Sequence, residues 1–152
     1  MDLFRLLFAP FVPPLIYGLI CIPLSQFVLT LFPNAVTAQG EIFHVGATLA
    51  IEVTQAITLL LAGIALSAVA PRDRHWKTIV IISTIGMLCI GILVQIEYWT
   101  AMLSWHHYVF FALILTVMPL GAIWHQRIAS ASVDPSSRNQ ASASNERINT
   151  VG

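Results

Sequence analysis

The sequence predicts an all-α membrane protein, a four-helix transmembrane bundle with both termini on the cytoplasmic side (N-in/C-in). Three observations predict this class. Of the 152 residues, 57% are hydrophobic and only 9% are charged, whereas an ordinary soluble domain carries about 25% charged residues. The apolar residues also fall in four long runs, and all seven Lys and Arg residues fall on one side of those runs.

The four apolar runs are long enough to cross a bilayer, and we place the spans at about 13–32, 42–70, 78–98 and 106–124. Each is near the ~20 residues that a helix needs to cross about 30 Å of hydrocarbon. Backbone N–H and C=O groups must be paired in lipid, so runs of this length are expected to be helices. Residues 1–127 are therefore predicted to form one transmembrane domain.

The first run has a rival interpretation as a cleaved signal peptide, because Val36 and Ala38 resemble the small residues before a cleavage site. Its apolar region is roughly twice the usual 7–15 residues of a signal peptide. We therefore treat it as a span. The third and fourth runs are bracketed by tryptophans, whose rings prefer the headgroup level of a bilayer. These are Trp76 and Trp99 for the third, and Trp105 and Trp124 for the fourth.

The basic residues predict the orientation. They lie before the first span, between the second and third, and after the fourth: Arg5, Arg72, Arg74, Lys77, Arg127, Arg138 and Arg147. The loops on the other side, 33–41 and 99–105, have none. Because cytoplasmic loops are enriched in Lys and Arg, both termini are predicted to be cytoplasmic, in a plasma or inner membrane. Residues 128–152 are rich in Ser, Ala and Asn without apolar periodicity, so we predict a disordered cytoplasmic tail.

The second run carries a polar stripe within EIFHVGATLAIEVTQ, residues 41–55. At 100° per residue, five polar side chains fall in one arc of about 80°. We use the name polar stripe for these five: Glu41, His44, Thr48, Glu52 and Gln55. On the opposite side, Gly46, Ala50 and Thr54 have the small-residue spacing that suits close contact with another helix. The polar stripe is expected to face a bundle interior or a cavity.

Glu52 lies well inside this run. A charged carboxylate at such a depth costs on the order of 2.5–3.5 kcal/mol on insertion scales. We therefore expect Glu52 to be protonated, hydrogen-bonded or paired. Glu52, with Gln55 beside it, is the candidate proton-binding site. The alternative is a structural role, in which a protonated Glu52 bonds to Gln55 or to a neighbouring hydroxyl and holds two helices together.

Two further histidine-based sites are open hypotheses. Five residues are predicted at one depth near the outer surface: Glu41, His44, Glu97, His106 and His107. Imidazole and carboxylate groups suit a transition metal such as copper, zinc or iron, and they can also relay protons. Haem is the second hypothesis, with His44 paired with His107 outside and His75 with His125 inside. Against it, the outer loops have no Lys or Arg to pair with haem propionates.

Three functions follow from these patterns, and the sequence names no reaction, so enzymatic activity is left open. The first is an accessory or assembly subunit whose polar stripe docks onto a larger membrane complex. Its partners would be lipid and other membrane subunits or a second copy, and no nucleic acid. The second is a redox or metal-binding membrane protein that uses the outer His and Glu residues, with quinol, haem or copper chemistry. The third is a small proton or cation transporter or channel with Glu52 as the binding acid.

Overall fold

The computed structural model of the protein describes residues 3–70 and 75–132. They form helices α1 (Leu3–Phe8), α2 (Val12–Thr30), α3 (Val45–Val69), α4 (Trp76–Glu97) and α5 (Ser104–Ser132), with a 3₁₀ turn at Ala9–Phe11 between α1 and α2. Within these two ranges the only β-type pairing is two isolated bridges. The prediction of an all-helical chain is confirmed.

Four helical segments are long and apolar enough to cross a membrane: Ala9–Thr30, Val45–Val69, Trp76–Glu97 and Ser104–Ser130. Their mean hydropathies run from 1.8 to 2.6. The predicted number of helices of spanning length is therefore confirmed, and these four candidate spans indicate an integral membrane protein. The direction in which it lies across the membrane stays a prediction.

The second span, α3, begins at Val45 rather than at the predicted residue 42. The reason is His44, whose backbone is extended and whose Nδ1 accepts a hydrogen bond from the N–H of Ala47 at 3.2 Å. A side chain that accepts from a backbone N–H three residues later acts as a helix N-cap. Glu41 and His44 therefore precede the helix, and only Thr48, Glu52 and Gln55 of the polar stripe lie on it.

The fourth span, α5, runs to Ser132 rather than to the predicted residue 124. Residues 128–132, predicted as the beginning of a disordered tail, are therefore helical. Residues 125–132 contain neither Pro nor Gly, the two residues that most disfavour a helix, so nothing ends the helix where its apolar run ends. The remainder of the predicted tail, 133–152, lies outside the described residues.

Helices α3 and α5 run in the same direction and form the tightest contact of the bundle. A Cβ added at Gly63 would lie 2.1 Å from the carbonyl oxygen of Met118, and one at Gly121 would lie 2.5 Å from that of Leu60. The two backbones therefore touch at positions that admit only glycine. The predicted contact face at Gly46 is different, because the nearest atom to a Cβ there belongs to the ring of His44, at 3.1 Å.

Around these glycines the α3–α5 interface is apolar. Six of its side chains have no exposed surface, and we call them the apolar layer: Leu59, Ala62, Leu66, Ile114, Met118 and Ala122. Such complete burial maximises dispersion contacts between the two helices. The apolar layer occupies the half of the interface that is farther from the N-termini of α3 and α5.

The other end of the bundle, where α3 and α5 begin, is covered by two loops, and we call it the loop end. The backbone N–H of Ile42 in the first loop donates to the carbonyl oxygen of Ala101 in the second at 2.7 Å. A tight turn before Ile42 ends at Gly40, whose φ of 85° favours glycine. The starts of α3 and α5 are therefore tied together, although they are distant in sequence.

Candidate functional site

The polar residues of α3 face the interior of the bundle on the loop-end side of the apolar layer. Thr48, Glu52 and Gln55 are all buried, which confirms the inward direction predicted for this part of the polar stripe. The Thr48 hydroxyl donates to the carbonyl oxygen of His44 at 3.1 Å. Its hydrogen-bonding needs are met within its own helix, so Glu52 and Gln55 are the members of the stripe that need partners from elsewhere.

Glu52 meets His106, which lies in the first turn of α5. Oε1 of Glu52 contacts Nδ1 of His106, and both side chains are buried. The imidazole also lies against the ring of Phe110, with the ring centroids 6.3 Å apart and the planes 18° apart. Because apolar atoms surround both groups, their attraction is screened far less than that of an ion pair in water.

Two acceptor atoms beside this pair lack a partner. Oε2 of Glu52 and Oε1 of Gln55 are buried and accept no hydrogen bond from any described residue. Buried polar atoms are nearly always hydrogen-bonded, since an unsatisfied one costs about 1–3 kcal/mol. The two residues are three positions apart on one helix and so lie on the same face. Each of these two oxygen atoms therefore needs a hydrogen-bond donor that the described contacts do not supply.

Helix α2 closes a third side of the site. The ring of Tyr17 packs on Phe110, the residue that also lies against His106, with a centroid separation of 6.2 Å. One turn later, Cys21 is buried with its Sγ 3.7 Å from the Ser25 hydroxyl. The Glu52–His106 pair is therefore enclosed by α2, α3 and α5 and is not exposed at the surface of the bundle.

His107 makes a separate set of contacts. Its Nδ1 contacts Oε1 of Gln95 on α4, and its Nε2 lies 3.1 Å from the carbonyl oxygen of Trp99. The indole of Trp99 stacks on the imidazole, with centroids 4.4 Å apart and planes 12° apart. Carbonyl oxygens only accept hydrogen bonds, so a ring nitrogen that faces one must carry its hydrogen. Nε2 therefore has no lone pair to offer a metal.

The structure does not bring the five predicted metal ligands together. His106 and His107 are buried, His44 and Glu97 are exposed, and Glu41 is half-buried in the first loop. Glu97 lies two residues beyond Gln95, about 200° around the helix, and so cannot share its direction. Among residues 3–70 and 75–132, no three His, Cys, Asp or Glu side chains are grouped so that they could hold a metal ion.

The predicted haem ligands are likewise engaged elsewhere. His44 caps α3, and His107 contacts Gln95 and Trp99. On the other side of the bundle, Nδ1 of His125 lies 3.1 Å from the Ser67 hydroxyl, and His75 is exposed just before α4. His44, His107 and His125 thus contact other protein groups, and the structure lends the haem hypothesis no support.

No family model matches the chain, and neither does any curated protein sequence or solved structure. Function therefore has to be argued from the site itself. Gln95, which is buried against His107, was not among the predicted site residues. A signal for it was present in the sequence, because a polar side chain within an apolar span usually faces the bundle interior.

Proposed function

We propose that this chain is a small proton-coupled membrane transporter in which the Glu52–His106 pair binds and releases the proton. The observation that carries the proposal is the buried contact between these two side chains, next to the unpartnered Oε2 of Glu52. Carboxyl and imidazole groups are the usual proton carriers of pumps and transporters. A proton on Oε2 would turn an unsatisfied acceptor into a donor.

Gln55 supports the same function. Its unpartnered Oε1 is an acceptor one helical turn beyond Glu52, in the direction of the apolar layer. Glu52 in its protonated form carries an O–H donor, whereas the carboxylate only accepts. Uptake of a proton therefore changes which groups in the site can bond to each other, and this is the kind of local change that can drive a rearrangement of packed helices.

The apolar layer favours a transporter over an open channel. Beyond Gln55, its six side chains fill the α3–α5 interface and carry no exposed surface. A proton on Glu52 is thus closer to the loop end, where His107 and the carbonyl of Trp99 lie, than to the opposite end. Transfer across the membrane requires α3 and α5 to separate, as alternating access demands.

Flux measurements on reconstituted vesicles test this function. Wild-type vesicles that contain a pH-sensitive dye are expected to acidify inside after an external acid pulse, faster than protein-free vesicles. Glu52→Gln should fall to the protein-free rate, because the amide keeps the size and hydrogen bonding of the carboxyl but takes up no proton. Glu97→Gln is the matched control, since Glu97 is exposed at the end of α4, and it should keep the wild-type rate.

A folding control accompanies the flux measurement. Glu52→Gln should retain the helical circular dichroism and the elution volume of the wild-type protein, so that lost flux reports lost proton binding. Infrared difference spectra should show a carboxyl band that changes with pH and disappears in Glu52→Gln. Unchanged flux in this variant, or no titrating carboxyl band in the wild type, would refute the proposal.

The proposal includes the predicted orientation, with both termini cytoplasmic and the loop end outside, in a plasma or inner membrane. The seven-to-zero distribution of basic residues supports it. Reporters fused after Ala38 or within 100–104 should behave as external, and those after Arg74 or Gly152 as cytoplasmic. A reporter on the opposite side at any one of these positions would refute the predicted orientation.

A second candidate is an accessory subunit of a larger membrane complex, and α2 is the observation that favours it. Only 17% of the span Ala9–Thr30 is buried, compared with 50% for Val45–Val69. Thr48, Glu52 and Gln55 are buried and not available for docking, so a partner helix would lie on the apolar side of α2. That side includes Leu15, Leu19 and Ile22, each more than half exposed.

Photo-crosslinking in native membranes separates the two candidates. A photoreactive residue at Leu19 should give an adduct with another membrane subunit, whereas one at Leu93, the highly exposed control on α4, should not. An adduct at Leu19 with a second copy of the chain would indicate a homo-oligomer. The absence of protein adducts would mean that lipid covers α2, and would dismiss the accessory role.

A further inference from the structure

A groove of about 750 Å³ opens between α4 and α5 at the end of the bundle opposite the loop end. Its walls are apolar, with Val80 and Ile81 on one side and Pro119 and Ile123 on the other. From Arg127 to Pro119 it follows the helix axis for about 12 Å. The groove is therefore about 12 Å long and largely apolar, which suits part of a hydrocarbon chain.

The rim of the groove is basic. Lys77 opens α4 and Arg127 lies near the end of α5, and both line the groove and are exposed. Neither forms an ion pair with a carboxylate in the described part of the chain. Two cationic side chains thus stand at one end of an apolar slot, at the level where a bilayer has its headgroups.

We propose that this groove is a binding site for one anionic phospholipid. The phosphate lies between Lys77 and Arg127, and one acyl chain lies along Val80, Ile81, Pro119 and Ile123. Charge complementarity selects the headgroup, and basic pockets between transmembrane helices are known to suit anionic lipids. A neutral amphiphile would leave both cations without a partner. This inference does not depend on the proton-coupled function.

Lipid titration tests the site. Delipidated protein in a neutral detergent is mixed with phosphatidylglycerol or with phosphatidylcholine, and native mass spectrometry counts the bound lipids. One phosphatidylglycerol should bind at concentrations that leave phosphatidylcholine unbound. Lys77→Gln and Arg127→Gln should each weaken phosphatidylglycerol binding about fivefold, the contribution expected of one basic residue near a membrane surface.

Matched controls distinguish the groove from general attraction to positive charge. Arg5→Gln removes one exposed basic residue outside the groove and should leave binding unchanged. Ile123→Trp fills the slot without altering its charge and should lower binding as well. Glycerol phosphate, which has the anionic group without the chains, should compete poorly.

Three results would overturn the proposal. The first is equal binding of the two lipids. The second is an Arg5→Gln effect as large as that of Arg127→Gln, which would indicate unspecific electrostatic attraction. The third is effective competition by glycerol phosphate, which would indicate a site for a soluble anion. Because Lys77 and Arg127 are exposed, their variants should keep the wild-type unfolding temperature, so a loss of binding reports the site.

Discussion

The two halves of the α3–α5 interface are built on opposite principles. In the half away from the loop end, backbones touch at Gly63 and Gly121 and the apolar layer leaves no exposed surface. In the half at the loop end, Glu52 contacts His106, and two acceptor atoms have no partner among the described residues. The first half combines close backbone contact with fully buried apolar side chains. The second half leaves two buried acceptor atoms without a hydrogen bond.

This difference separates stability from function. Close apolar packing holds helices together in lipid, where no hydrophobic driving force exists between them. Buried polar groups without hydrogen-bond partners lower the free energy of unfolding, and such local strain is concentrated at functional sites. The half with glycines is therefore expected to carry most of the stability, and the half with Glu52 is the one to which the proposed function assigns proton binding. Four measurements sharpen or break this division.

The largest effect is expected at Gly63. Gly63→Ala places a Cβ 2.1 Å from the carbonyl oxygen of Met118, so the helices must separate, and overpacking of this kind costs about 3 kcal/mol of unfolding free energy. Thermal unfolding in detergent measures it. Gly86→Ala is the control, because an added Cβ there meets nothing within 4 Å. Equal stability of the two variants would contradict the division.

The Glu52–His106 pair comes next. His106→Ala leaves a buried carboxyl without its partner and should cost about 2 kcal/mol. Replacing both side chains, as Glu52→Leu with His106→Leu, should cost much less, because exchanging a buried pair for apolar residues is often nearly neutral. Unfolding of Glu52→Leu, His106→Leu and the double variant gives the coupling energy. Additive losses would mean that the two side chains do not act as a pair.

A smaller loss is expected at Gln95. Gln95→Ala removes the amide that holds Nδ1 of His107 and should cost about 1 kcal/mol, as for one hydrogen bond. Gln95→Glu should be at least as destabilising, since Nδ1 of a neutral His107 with its hydrogen on Nε2 accepts, and a carboxylate has no N–H to donate to it. Denaturant titration of the folded protein measures both. Stability retained in Gln95→Glu would show that Nδ1 of His107 carries a hydrogen as well.

The smallest effect concerns His44. As a helix cap it should be replaceable by Asn, while His44→Ala should lower the unfolding free energy by about 0.5–1 kcal/mol. Vesicle flux should be the same for all three proteins, because His44 is exposed and lies outside the proton site. Loss of flux in His44→Asn would instead give His44 a part in proton transfer.

The sequence was sufficient where helical periodicity and lipid chemistry act alone. Apolar length gave the four spans, and the 100° repeat put Thr48, Glu52 and Gln55 on one inward face. It was insufficient at helix ends, because His44 looks like another member of the polar stripe until its backbone is seen to be extended. Glu97 was also chosen as a site residue on α4. Gln95, two residues earlier and on the other side of the helix, was overlooked, although it is the one that contacts His107.

Contacts between distant segments were also beyond a single sequence. The meeting of Gly63 with α5 depends on the angle at which two helices cross, and a sequence does not fix that angle. Gly46, Ala50 and Thr54 have an equally suitable spacing, so the pattern alone could not choose between the two faces. The pairing of Glu52 with His106 rather than His107 has the same origin, because adjacent residues on a helix point about 100° apart.

The same-direction contact of α3 and α5 also has a consequence for biosynthesis. Spans enter the membrane in chain order, so α3 is inserted long before α5 has been translated. Until then Glu52 has no His106, and the nascent chain carries a carboxyl in lipid at a cost on the order of 2.5–3.5 kcal/mol. Only the last span to be made supplies the partner. A chain cut short before Ser104 would keep that acid without His106, and it is expected to be less stable than the full chain.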